Sequence, residues 1–161
     1  MMKRICTLAL ALLMTGLLAA CGGQKTETVK DVDLTAFYAG LEEAYEWSDG
    51  YMADIEGELL ESYYPGLADI QTKQLVAKTP QMSSVVNELV FAQCETEEDA
   101  EKAAAILQNR MDTQAQGGAW YPESMEAWGR GIVIQQGTYV AMIASAEHQD
   151  EIVESFNQLF V

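Results

Sequence analysis

Apolar residues fall at Leu34, Phe37, Tyr38, Leu41 and Tyr45, the spacing of one helix face, and Asp33 stands just before them as an N-cap. The spacing predicts a helix over 34–47. Between Ser48 and Met82 the pattern breaks: Ser48-Asp49-Gly50 and Pro65-Gly66 interrupt it, residues 55–63 have a helical character, and 74–78 read as a short strand. After Pro80 the run Val85-Val86-Asn87-Glu88-Leu89-Val90-Phe91-Ala92 is rich in strand formers with apolar residues on both faces, as a central strand requires. Thr96 then stands as an N-cap, with Glu97, Glu98 and Asp99 in the first turn, where the helix dipole favours anions. Ala100, Ala103, Ala104, Leu107 and Met111 share one stripe, which extends this helix to about Thr113, and its small alanines allow a close approach to a sheet. Gln116-Gly117-Gly118 reads as a loop and Pro122 as the opening of a short helix toward Trp128. A strand over 131–135 follows, then a tight turn at Gln136-Gly137 into a second strand over 139–144. Ile152, Val153, Phe156, Leu159 and Phe160 form the stripe of a C-terminal helix. The order of elements implies an α+β fold: a small sandwich of an antiparallel or mixed sheet with a C-terminal hairpin, packed by helices.

The N-terminal region has a different pattern. Lys3 and Arg4 precede an uncharged, mainly apolar stretch that ends at Leu18-Ala19-Ala20-Cys21-Gly22-Gly23. At about 16 residues such a stretch reaches only about 24 Å as a helix, short of the roughly 30 Å hydrocarbon core, so it reads as a secretory leader and not a permanent span. The last residues match a lipobox. Small Ala19 and Ala20 admit a peptidase, cleavage falls between Ala20 and Cys21, and the Cys21 thiol is the nucleophile that takes a diacylglyceryl group. Acyl chains at about 0.8 kcal/mol per buried CH₂ then hold the protein on the membrane. The expected organisation is a lipoprotein signal peptide over 1–20, a lipidated polar tether over 21–32 and a single globular domain over 33–161, on the outer face of the cytoplasmic membrane.

Charge narrows the choice of partners. Nine Lys and Arg stand against 25 Asp and Glu, a net charge of −16 for the 161 residues, and loss of Lys3 and Arg4 with the leader leaves seven against 25, or −18. Such a surface repels nucleic-acid phosphates, and Arg110 and Arg130 lie in no basic cluster that could offset it, so nucleic acid is excluded as a partner. With Cys6 in the leader and Cys21 lipidated, only Cys94 is left as a free thiol. It ends an apolar run beside Glu95, Glu97 and Glu98, the setting of a buried hydrophobe and not of an activated nucleophile.

In that order behind a lipobox, Glu88-Leu89-Val90-Phe91, Glu98-Asp99-Ala100, Arg110, Tyr121-Pro122-Glu123 and Gly137-Thr138-Tyr139-Val140 resemble a family of small bacterial lipoproteins known only as a domain of unknown function. The resemblance implies a lipid-anchored extracytoplasmic domain. It brings no catalytic residue with it.

Candidate chemistry is sparse. His148 is the one histidine, no Gly-x-Ser-x-Gly elbow supplies a serine nucleophile, and no phosphate-binding Gly-x-x-x-x-Gly-Lys loop occurs. His148 sits at the start of the last helix, where a solvent-facing residue is expected. Asp31, Asp33 and Glu42 have some of the spacing of a calcium loop, but Ala36 stands where the sharp turn needs glycine and the apolar stripe demands helix. Neither a metal nor a cofactor is expected. Trp120 and Tyr121 follow Gly117-Gly118, with Trp128 seven residues beyond Tyr121; they either pack on the sheet or contact a ligand or partner. The sequence therefore favours a non-catalytic binding or interaction module whose partner is a protein, a cell-wall component or a small molecule. The alternative is an extracytoplasmic hydrolase using paired carboxylates, which requires two acids close together in a cleft.

Overall fold

The structure, a computed structural model, describes residues 31–161. The leader, Cys21 and most of the tether lie outside the described residues. Elements run in the order α1 (Leu34–Ala44), β1 (Met52–Asp54), α2 (Gly57–Tyr63), β2 (Thr72–Pro80), β3 (Asn87–Cys94), α3 (Glu97–Thr113), α4 (Pro122–Arg130), β4 (Ile132–Gln136), β5 (Tyr139–Ser145) and α5 (Gln149–Gln158). The strands form one antiparallel sheet in the order β1-β2-β3-β5-β4. The fold is therefore α+β, with helices on both faces of the sheet.

Alternation along β3 and β5 divides the interior in two. Val90 and Cys94 with Val140, Met142 and Ala144 meet α2, α3 and α4 on one face. Leu89, Phe91, Tyr139, Ala141 and Ile143 meet α1 and α5 on the other. Both strands are buried along their whole length, which explains why they carry apolar residues at consecutive positions. On the first face α3 presents Ala100 and Ala103 to the sheet beside Leu107 and Met111, and its Thr96 side chain caps the helix through the Asp99 N–H at 3.1 Å. The second is filled by rings: Phe37 on Phe91 at 5.1 Å, Phe91 on Phe156 at 5.8 Å and Phe156 on Phe160 at 5.2 Å between centroids.

Several boundaries differ from those read in the sequence. The first helix, expected to reach residue 47, ends at Ala44 because Glu46 turns left-handed (φ 52). Its N–H bonds Glu43 O at 3.3 Å while Trp47 N–H bonds Glu42 O at 3.0 Å, the paired closure of a Schellman motif. The strand expected over 74–78 spans Thr72–Pro80, lengthened by pairing with β3 on one side and β1 on the other. The central strand starts at Asn87 and runs to Cys94 instead of covering 85–92. Gln136 pairs with Tyr139, so the hairpin turn is Gly137-Thr138, one residue later than expected, with Gly137 at φ 59 in the first central position. Val32, assigned to the tether, is buried: its N–H donates to the Tyr139 hydroxyl at 3.0 Å and its carbonyl accepts from Gln74 Nε2 at 2.8 Å. Helix α1, capped by Asp33, occupies the residues that a calcium loop would have needed.

Candidate functional site

Glu88 is the anomaly of the central strand. It belongs to the row that faces α2, α3 and α4, where its neighbours are Val86 and Val90, and it is 3% exposed. A carboxylate in such a place needs partners for both oxygens. Arg110, in the last turn of α3 and three residues beyond Leu107, supplies them: Nε donates to Oε1 at 2.9 Å and Nη2 to Oε2 at 2.8 Å. Tyr64, just past the end of α2, donates its hydroxyl to the same Oε1 at 2.6 Å. This is the two-pronged geometry in which a guanidinium recognises a carboxylate most strongly.

Electrostatics favours the charged guanidinium of Arg110 and the protonated hydroxyl of Tyr64. Burial works against the Arg110 charge, but its hydrogen bonds to Glu88 and the negative charge there outweigh this and raise its pKa. Burial, followed by the Glu88 carboxylate, pushes the Tyr64 hydroxyl well above its usual value and keeps it a donor. The flat face of the guanidinium lies over the Tyr63 ring at 4.1 Å, with the Trp128 ring 5.4 Å away. Among the described residues Arg110 Nη1 has no hydrogen-bond partner, which leaves donors of a fixed cation unused.

The ion pair lies in the wall of a cleft of about 530 Å³, within the range typical of small-molecule sites. Thr79 and Pro80 at the end of β2, Gln81, Ser83, Val85 and Val86 form one side; the end of α3 and the start of α4 form the other. Between those helices the backbone makes a wide turn, in which Ala119 N–H bonds Gln114 O at 3.1 Å and Gly117 adopts φ 123. At Gly118 a Cβ would lie 2.8 Å from the Thr113 carbonyl oxygen, so only glycine allows the chain to close there. The segment expected to be an irregular loop thus continues α3 for a further turn and carries Trp120 to the rim.

The structure brings Trp120, Tyr121 and Trp128 to this one cleft but gives them different roles. Trp128 is buried against Ala127 and α3 at 6% exposure, whereas Tyr121 is 59% and Trp120 is 93% exposed. The core-packing reading holds for Trp128 and not for Trp120. Sequence reasoning missed Glu88, Arg110, Tyr63 and Tyr64 as a set, although a Glu inside a mainly apolar central strand and an Arg beside a helix's apolar stripe were both visible.

His148 lies elsewhere, beside a smaller cavity of about 210 Å³ that Glu123 and Glu147 also line. It does not stand free in solvent as expected: its ring stacks on Tyr45 at 4.1 Å between centroids. Cys94 is fully buried, and burial followed by Asp99 raises its pKa, which suits a core thiol. No helix among the described residues is long and apolar enough to cross a membrane.

Comparison with known proteins adds one result. A family profile, Domain of unknown function (DUF4358), matches residues 45–145, a span that takes in every strand and the whole cleft and stops short of α5. No curated protein and no solved structure matches the chain.

Proposed function

The chain belongs to the DUF4358 family, and from that premise we propose that it is a binding module held at the outer face of the cytoplasmic membrane by lipid on Cys21, with the cleft beside Glu88 and Arg110 as its ligand site. The observation that carries the binding role is the pairing of a desolvated Arg-Glu pair in the cleft wall with a tryptophan that is 93% exposed at the rim. A fixed guanidinium with unused donors orients a ligand, and an exposed large ring waits for an apolar face to cover it. The anchoring role rests on the leader and on Leu18-Ala19-Ala20-Cys21. The cleft gives little support to hydrolysis by paired carboxylates, because Glu88 is the one carboxylate among its lining residues and both its oxygens are already engaged by Arg110.

Two measurements test this reading. Mass spectrometry of the membrane-extracted protein should find a mature N-terminus at Cys21 carrying diacylglyceryl, and an intact leader or an unmodified Cys21 would refute the anchor. For the cleft, thermal shift of the protein against fractionated cell-envelope extracts should find a fraction that stabilises the wild type and leaves Trp120→Ala unmoved. Equal responses of the two proteins to every fraction would refute this site.

A further inference from the structure

The character of the cleft restricts its ligand. Glu88 and Arg110 are the two ionised side chains in its lining, and they neutralise each other. An anionic ligand would meet the strongly negative net charge of the chain with no uncompensated cation to receive it. A cationic ligand would have to compete for carboxylate oxygens that Arg110 and Tyr64 already occupy. The lining therefore favours an uncharged ligand. The amides of Gln81 and Gln114 and the hydroxyls of Ser83 and Ser124 offer both donors and acceptors around the same space, while Trp120 and Tyr121 offer exposed ring faces.

We infer that the ligand is a neutral saccharide, with one sugar ring stacked on Trp120 and Tyr121 and its hydroxyl or acetamido oxygens bonded to Arg110 and the flanking amides. This rests on the binding-module reading above and specifies its ligand. A pyranose has an apolar face of C–H groups, which carry small positive charge toward the negative face of an aromatic ring, and a rim of hydroxyls that both donate and accept. The cleft offers the counterpart of each. No bond is made or broken in this role.

The test uses the full lipidated chain in a zwitterionic detergent free of sugar headgroups. Isothermal titration with chitotriose and cellotriose should show binding of at least one of them, with oligogalacturonate of equal length at least tenfold weaker. Trp120→Ala, with an unchanged circular dichroism spectrum, should weaken the neutral ligand about tenfold, the loss of one good stacking contact. Absence of binding by both neutral trimers at millimolar concentration, oligogalacturonate binding as well as they do, or wild-type affinity in Trp120→Ala would each overturn the assignment. Retention on insoluble peptidoglycan with elution by the soluble trimer identifies a wall glycan as the source; binding of soluble sugar alone identifies a free one; both support the class. Shortened sugars detected after incubation would refute the non-catalytic reading while leaving the saccharide class standing, so the two failures are distinguishable.

Discussion

The Glu88-Arg110 pair is expensive to break on one side only. Removing Arg110 leaves a carboxylate at 3% exposure with only the Tyr64 hydroxyl to stabilise it, and loss of one partner of a buried pair costs about 3–5 kcal/mol. Arg110→Met should therefore lower the stability measured by urea unfolding by that amount. The combined Glu88→Leu, Tyr64→Phe, Arg110→Met variant, which removes all the polar partners together, should recover most of it, since an apolar replacement of a whole buried pair is often neutral. Failure of the combined variant to regain stability would mean that the pair is worth more than its desolvation. Trp120 is the opposite case. With its ring in solvent, Trp120→Ala should change the unfolding free energy by no more than about 0.5 kcal/mol, and a larger loss would show the ring to be part of the packing.

Helix α1 shows how an element boundary is set by its surroundings. Its apolar stripe continues to Tyr45, and nothing local in Glu46 commands a stop, so the periodicity ran past the true end. The turn at Glu46 sets Trp47 beside Tyr45 and Tyr51, with ring centroids 5.5 and 5.8 Å away. A left-handed conformation costs a side-chain-bearing residue about 1–2 kcal/mol. Glycine adopts it freely but loses more entropy on folding. Glu46→Gly should thus raise the stability by about 0.5–1 kcal/mol, seen as a higher midpoint of thermal unfolding; a lower midpoint would mean that the Glu46 side chain makes a stabilising contact of its own. The α3 boundary was legible for the reason that the α1 end was not. Thr96 and the three acids behind it act on N–H groups within one turn of themselves, so local sequence suffices.

Across the whole molecule, buried phenols link the fold to alkaline pH. Tyr64 keeps its proton more tightly in the folded protein than in the unfolded chain, chiefly through burial and then through Glu88. Burial raises Tyr51 and Tyr139 in the same direction. Above about pH 10 the unfolded tyrosines lose protons that the folded ones retain. The folded state then binds more protons, and stability falls as pH rises. The urea midpoint should drop between pH 9 and pH 11, and Tyr64→Phe should make the drop shallower. An equal slope in that variant would remove Tyr64 from the account. Strands β3 and β5 carry side chains into both layers, so a loss in either core is felt by the other.

The sequence by itself determined the types of most elements, the caps at Asp33 and Thr96, the burial of both faces of the central strand, the hairpin to within one residue and the α+β class. Each depends on periodicity or on neighbours a few positions apart. Tertiary structure alone decided which acid among the described residues is buried, because the partners of Glu88 lie 22 and 24 residues away, in opposite directions along the chain. It also decided that, of two tryptophans eight positions apart, one fills the core and the other stands in solvent. No local pattern carries that information: it arises where the end of α3 meets the start of α4, and a contact between distant segments exists only once the sheet has brought them together.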